Sequence, residues 1–346
     1  MIFHHQALLE EDASPRGIAC WGMGLLEGKK MSSSKGHVVL PEKAMERYGA
    51  DTIRFFLFAS VEPWQEFDWR EDEVEKYKNN LKNIYERIAT NYGRGEQREK
   101  TYLDTYALSN LQKITEETTQ ALENFQTRKA GLNTFFKLDK LVKTYLDRTE
   151  TPNKNVLNTL LEAQIKMMSP FTPHLCQELW SEIGNDSFLE NTEWPEAHAE
   201  LRDETVERGV EIVEETEDDI NEIADLVGDY ERIRVIIGDS WKRTLFNDMK
   251  PLLQEGKEFG EMMGDLVQTR KDKANQVKNI LQNYMGKAHE IPSDLLSEDD
   301  EEEVFTQHQT YLKNKFDADI IIEKESESDS EKASKAMPGK PAIVLE

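Results

Sequence analysis

The sequence predicts a mostly α-helical chain that ends in a small α/β domain. Three observations carry this. Apolar residues recur at i, i+3 and i+4 through residues 71–183. Short apolar runs broken by glycines precede them in residues 1–70, and strand-like runs alternate with helical ones after about residue 200. At 346 residues the chain is long for one domain, and a prior of about 100–200 residues per domain suggests two or three. The boundaries expected from these shifts are 1–70, 71–198 and 199–346.

In the first segment, Gly17-Ile18-Ala19-Cys20-Trp21-Gly22-Met23-Gly24-Leu25-Leu26 reads as strand, turn and strand, ended by Gly28. A polar loop follows over 29–36. Pro41 suits the first turn of a helix over 41–48, and Gly49 suits its C′ position, where a positive φ is needed. Asp51 is a candidate N-cap for a second helix, with Ile53, Phe56 and Leu57 facing inward.

Four long helical stripes come next. They run through Val74, Leu81 and Ile88; Leu108, Leu111 and Phe125; Leu132, Phe135, Val142 and Leu146; and Val156, Leu160, Ile165 and Met168. Pro170 and Pro173 break the pattern before a short helix at Leu175, Leu179 and Trp180. This is the profile of an antiparallel helix bundle, and such stripes are core rather than chemistry.

Beyond residue 200, strands are expected at 210–213, 232–237, 320–322 and 342–345, with helices between them. The acidic run 297–303 reads as a solvated helix start favoured by the helix dipole, and 323–336 as a polar mobile loop.

Composition narrows the function. The net charge of -25 argues against phosphate binding over the whole surface but permits a local basic face. Cys20 and Cys176 are far apart in sequence and form no C-x-x-C, so they read as reduced thiols. No Cys/His cluster has metal spacing, and no protein-bound metal is expected. No run of 18 or more apolar residues appears, and Met1-Ile2-Phe3-His4-His5 has neither the basic nor the apolar part of a signal peptide. A cytoplasmic protein without a membrane partner is expected.

The most informative stretch is Glu27-Gly28-Lys29-Lys30-Met31-Ser32-Ser33-Ser34-Lys35-Gly36. A flexible loop bearing ammonium groups, hydroxyls and exposed backbone N–H groups can wrap a polyphosphate. The alternative is an exposed basic turn.

Within this stretch, Lys30-Met31-Ser32-Ser33-Ser34-Lys35-Gly36 resembles the KMSKS signature of class I aminoacyl-tRNA synthetases. In that family the loop closes over the ATP triphosphate during amino-acid adenylation. The resemblance implies catalytic roles for Lys30 and Lys35. It implies an ATP loop of Lys30, Met31, Ser32, Ser33, Ser34 and Lys35, with Mg2+ accompanying the nucleotide. Tyr48-Gly49-Ala50-Asp51-Thr52-Ile53-Arg54 also resembles the family, where a helix pair joins the catalytic body to the anticodon-binding bundle.

Two positions depart from the signature: Ser33 replaces its second lysine, and His37 stands where asparagine is usual. Losing one charge-assisted contact is worth roughly 1.5–3 kcal/mol in a shielded site, which predicts slower adenylation unless Lys29 or Lys35 substitutes. His37 is either a phosphate ligand or an exposed loop histidine.

Met168-Ser169-Pro170-Phe171-Thr172-Pro173-His174-Leu175-Cys176-Gln177-Glu178-Leu179-Trp180, with Trp194-Pro195 after it, looks like the hallmark of the anticodon-binding bundle in the leucine, isoleucine, valine and methionine enzymes. His174 and Glu178, one turn apart, are expected to pin the bundle rather than to catalyse. Phe67-Asp68-Trp69-Arg70 and the final Pro338-Gly339-Lys340-Pro341-Ala342-Ile343-Val344-Leu345-Glu346 are similar to archaeal and eukaryotic leucine enzymes. There a flexible terminal domain contacts the long variable arm of tRNA(Leu), and RNA ends and loops are the readable parts of the molecule. Candidate tRNA contacts are Arg70, Lys242, Arg243, Lys271 and Lys273. Arg232, Arg234, Lys278 and Lys287 could also meet phosphates, and Trp241 is either core or a stacking surface.

The resemblance covers almost the whole chain but only about the last third of the family enzyme. No HIGH-type motif or nucleotide-binding sheet has a counterpart, and His4-His5 is not one. Leucine and ATP would therefore be handled through a catalytic amino-terminal half, in cis or in trans. Two alternatives stand beside this expectation: a catalytically inactive tRNA-binding module, and a fragment of an isoleucine, valine or methionine enzyme.

Overall fold

A computed structural model describes residues 20–346. His4-His5 and the start of the first expected strand, Gly17-Ile18-Ala19, lie outside these residues. The chain divides into two compact units. The first takes in residues up to Glu99, Ala107–Leu146 and Glu150–Arg202; the second takes in Lys100–Tyr106, Asp147–Thr149 and Asp203–Glu346.

The first unit opens on a hairpin of β1 (Gly24–Leu26) and β2 (Lys29–Lys30). Its two-residue turn places Glu27 at φ 49° and Gly28 at φ 73°. A tight hairpin needs this left-handed pair, and only the glycine adopts it without steric cost. Strand β1 also pairs in parallel with β3 (Phe67–Trp69), Leu25 lying opposite Asp68. The expected polar loop thus begins as a strand, and its tip is a 3-10 turn over Ser33–Lys35.

Helix α1 (Pro41–Tyr48) starts on its proline. Gly49, at φ 83°, both ends α1 and caps α2 (Ala50–Ala59). Asp51 therefore sits inside the first turn of α2 instead of capping it, which corrects that expectation.

The bundle follows as α3 (Glu71–Asn91), α4 (Tyr102–Glu123), α5 (Thr127–Leu132), α6 (Leu138–Arg148), α7 (Lys154–Met168) and α8 (Pro173–Glu182). Between α5 and α6 the chain stays helical but widens to a π-helical stretch, Asn133–Lys137. Phe135 on that stretch stacks on Phe55 of α2 with centroids 3.8 Å apart. Phe171 meets Phe135 edge-on at 5.6 Å, and Tyr77 meets Phe55 in the same way at 4.7 Å. Each fully buried side chain of this size contributes about 1.5–3 kcal/mol, so this cluster holds α2, α3 and the turn before α8 together.

The second unit contains its own three-stranded sheet. Strand β4 (Arg232–Ile237) is central, parallel to β5 (Asp319–Lys324) and antiparallel to β6 (Ala342–Leu345). The expected strand over 210–213 is instead part of helix α9 (Glu204–Val227). Its buried residues Val206, Val210, Val213 and Ile220 fall on one face at helical spacing, and the Asp203 carboxylate caps it by accepting from Val206 N at 3.0 Å. The brief alternation at 210–213 was a local coincidence inside a longer helical period.

Helix α13 (Glu298–Phe316) is capped by Ser297 and joins α9 against the sheet, around Ile212, Val235, Phe305 and Leu312. Helices α10 (Ser240–Gln254), α11 (Phe259–Val267) and α12 (Ala274–Tyr284) share a separate apolar cluster around Phe246, Met262 and Leu281. The segment expected as a mobile loop over 323–336 starts inside β5, and its Ala333 and Ala336 are buried.

A Cβ built on Gly131 of α5 falls 2.7 Å from Ala59 Cβ. Gly131→Ala is expected to destabilise the first unit by about 1–3 kcal/mol through overpacking. Urea denaturation checks this, and an unchanged midpoint would mean that α2 and α5 separate at little cost.

Candidate functional site

The polar loop projects from β2. Ser32 and His37 face each other across its base, Ser32 N donating to His37 O at 2.7 Å and His37 N to Ser32 O at 3.0 Å. The turn between them is completed by Gly36 at φ 70°. Lys29, Lys30, Ser33, Ser34 and Lys35 are exposed. Ser32 is half-buried, with its hydroxyl 3.2 Å from that of Ser34. Met31 turns inward and packs on the cluster of Tyr48, Phe56, Trp69 and Val74, so it anchors the loop. Among the described residues, none of the three lysines has an ion-pair partner.

Two side chains brace the hairpin that carries the loop. The His37 imidazole reaches back, Nε2 donating to Leu26 O at 2.9 Å. Asp68 on β3 accepts from Gly28 N at 2.8 Å and from Arg70 Nε at 2.7 Å. The Gly28 N–H, followed by the Arg70 guanidinium, holds the Asp68 carboxyl below the usual carboxylate range. Arg70 is exposed and remains reachable, though its charge is shared with Asp68.

Beneath the loop, α2 is fastened to the Pro-Phe-Thr-Pro turn. Asp51 Oδ1 is 2.9 Å from His174 Nδ1, and Asp51 Oδ2 accepts the Leu175 N–H at 2.6 Å. That N–H belongs to the first turn of α8, where Thr172 makes no side-chain cap. Asp51 therefore caps a helix more than a hundred residues away, with its charge at the favourable end of the helix dipole. Arg54 completes the fastening, Nε donating to Phe171 O at 3.0 Å and Nη2 to Pro170 O at 2.7 Å. His174 pins the bundle through Asp51, whereas Glu178 is exposed and takes no part. Trp194 packs into the same unit and donates to Thr119 Oγ1 at 2.8 Å.

The candidate RNA-facing cations of the second unit separate into two kinds. Lys242 and Arg243 are buried, which corrects the expectation that they meet phosphates. Lys242 Nζ pairs with Glu325 at 2.8 Å and donates to Ser334 O at 2.9 Å and Ala336 O at 2.6 Å. All three of its N–H groups are thereby used, and they tie down the segment expected to be mobile. Arg243 pairs with buried Glu301 and donates to Leu296 O and Gly238 O. A long cation beside a helix start reads the same in sequence whether it points out or in, so no local signal separated these two from surface lysines.

Arg234 is likewise consumed, by Glu323, Asp329 and Glu346. Lys271 is exposed on a 3-10 turn, and Lys273 is partly exposed with its Nζ 5.0 Å from the centroid of the Trp241 ring. An open apolar hollow of about 390 Å³ is lined by Met263, Gly264, Val267, Gln268, Lys271 and Ala274. Trp241 is half-buried against the apolar cluster of α10–α12, so it serves both as core and as a cation platform. No helix of the described residues is long and apolar enough to cross a membrane.

Comparison with known proteins places these features. Residues 2–92 match the family model for class I tRNA synthetases (M), and residues 104–241 match that for the anticodon-binding domain of tRNA ligases. The leucine–tRNA ligase of Methanothermobacter thermautotrophicus is 35% identical over 367 aligned positions, covering 100% of this chain and 38% of that protein. That of Pyrococcus furiosus is 33% identical over 356 positions, covering 100% of this chain and 36% of that protein. The chain thus spans 38% and 36% of the length of these two relatives.

Two outcomes are expected. Arg243→Leu leaves Glu301 charged and buried without its partner, so it should destabilise the second unit by about 3–5 kcal/mol. Lys271→Ala should change stability by no more than about 0.5 kcal/mol. Chemical denaturation of both variants checks the contrast.

A further outcome concerns pH. A carboxyl held below its unfolded value stabilises above that value, about 3.9 for aspartate, and its contribution is lost as pH falls through the folded value. The Asp68 brace should therefore be constant from pH 8 to about 5 and open only below about 4. Exchange of the Gly28 amide followed against pH measures this; opening near neutral pH would show that Asp68 is not the brace.

Proposed function

We propose, on the premise that this chain belongs to the leucyl-tRNA synthetase family, that it contributes the polyphosphate-binding loop and tRNA-binding parts of a leucine–tRNA ligase. The observation that carries this reading is the loop itself. In a chain of net charge -25, Lys29, Lys30 and Lys35 stand exposed and unpaired on a braced hairpin beside two exposed serine hydroxyls. Three ammonium groups and two hydroxyls gathered on one short hairpin suit a polyanionic ligand.

In adenylation a leucine carboxylate oxygen bonds to the α-phosphorus of ATP, and the bond to the β-phosphate bridge breaks, releasing pyrophosphate. Lys30 and Lys35 face the charge that grows on the departing phosphates, and Ser33 and Ser34 supply hydroxyl donors. Magnesium comes bound to the nucleotide, since the loop offers cations and hydroxyls rather than carboxylate ligands. The nucleotide-binding sheet and the leucine pocket come from a catalytic half, in cis or in trans. A ribose hydroxyl at the tRNA end then attacks the leucyl carbonyl and AMP leaves.

The division of labour follows 1–70 for the loop and connecting helices, 71–198 for the bundle and 199–346 for the terminal tRNA contact. In the last part, the hollow lined by Lys271 suits an unstacked base with its phosphate on that lysine, and Lys273 adds a cation nearby in sequence. Arg70 adds a cation near the loop. The cytoplasm is the compartment where these substrates meet.

Mixing the chain with a matching catalytic half and measuring leucine-dependent ATP–pyrophosphate exchange tests the proposal. Lys30→Ala or Lys35→Ala should lower exchange by roughly 10- to 100-fold, as expected for losing a charge-assisted contact. Ser33→Lys should raise it by up to about tenfold on the same argument. No exchange with both halves folded would sink the reading, and equal affinity for tRNAs lacking a long variable arm would sink the leucine assignment.

A further inference from the structure

We propose that His37 and Asp68 are positioning residues that clamp the hairpin at the root of the polyphosphate loop, so that Lys30 and Lys35 are held within reach of one bound triphosphate. The inference rests on the loop's role given above but is read from different contacts. Neither side chain is aimed at a ligand. His37 Nε2 turns back 2.9 Å onto Leu26 O, and Asp68 Oδ1 accepts Gly28 N at 2.8 Å. The two bonds fall on either side of the same two-residue turn, Leu26 before Glu27 and Gly28 at its second position.

Their geometry makes them a pair. Strand β1 lies between β2 and β3 in the sheet order β2-β1-β3. Asp68 reaches the turn from β3, while His37 reaches the Leu26 carbonyl from the far end of the loop. The loop's exit is thereby fastened to the strand that precedes its entry. With the Ser32–His37 bridge closing the base, only the short tip over Ser33–Lys35 is left to adapt.

The need for a clamp follows from Glu27. At φ 49° it is a non-glycine residue in the left-handed region, which favours relaxation of the turn unless other bonds hold it. A turn relaxed here would swing β2, and Lys30 with it. Arg70 locks the other Asp68 oxygen at 2.7 Å, which keeps the carboxylate aimed at Gly28. His37 is thus neither a phosphate ligand nor a free loop histidine; it is the latch of the hairpin.

The test uses the full chain and begins without nucleotide. Hydrogen exchange of the peptide spanning residues 27–38 should quicken by up to about tenfold in His37→Ala and in Asp68→Ala, the loss expected for one hydrogen bond. His37→Gln should exchange like wild type, because a glutamine side-chain N–H reaches the Nε2 position. Calorimetry with inorganic tripolyphosphate should show affinity reduced by up to about tenfold in His37→Ala and restored in His37→Gln. With a catalytic half present, His37→Ala should raise the KM for ATP and leave that for leucine unchanged.

Exchange in His37→Ala as slow as in wild type would overturn the clamp, and so would identical behaviour of the Ala and Gln variants. A wild-type loop that exchanges slowly yet binds no tripolyphosphate would overturn the loop's proposed role while leaving the clamp in place.

Discussion

The first unit depends on the fastening of helix α2 to the turn at Pro170–Thr172. Asp51 spends both carboxylate oxygens on the start of α8, and Arg54 spends two N–H groups on the carbonyls just before it. The polar bonds set the angle and register of α2. The stacked Phe55 and Phe135 beneath them, with Phe171 against Phe135, supply the burial. Hydrogen bonds alone would not hold such a joint, since each nets only about 1 kcal/mol against water. Apolar burial alone would not orient it, because it has no direction. Together they fix the base from which the sheet β2-β1-β3 and its loop project.

Charge is handled in the same spirit. In the second unit several cations are spent on carboxylates inside the fold. Lys242 and Arg243 are buried beside Glu325 and Glu301, and Arg234 is shared among three carboxylates. Such pairs contribute registry as much as stability, since desolvation offsets much of their attraction. Lys29, Lys30 and Lys35, by contrast, stand exposed without an ion pair among the described residues, gathered on one short loop. A surface that binds phosphates needs such unpaired cations close together, rather than a large number of basic residues over the whole chain.

The loop also shows why a departure from a family pattern needs geometry before it can be read. From sequence, Ser33 and His37 were both departures from the same signature. In the structure they differ in kind. Ser33 lies exposed at the tip. His37 is turned into the root, where its ring carries a backbone carbonyl. One faces solvent, the other is spent on the shape of the hairpin.

Much was legible in the sequence by itself. The helical stripes of the bundle, the central strand at 232–237, the punctuation at Pro41 and Gly49, and the loop at 30–35 are local features, written in the period of apolar residues and in the φ that proline and glycine permit. What only the tertiary structure decided is where side chains with more than one use are spent. Asp51 looked like a cap for its own helix and caps a distant one; Lys242 and Arg243 looked like surface cations and are buried ties. Residues 210–213 alternated like a strand and joined a longer helix. The physical reason is the same in each case. A carboxylate, a long cation or a short apolar run has several partners of similar worth, and the choice among them depends on which groups the fold brings within about 3 Å, a distance that spacing along the chain does not encode.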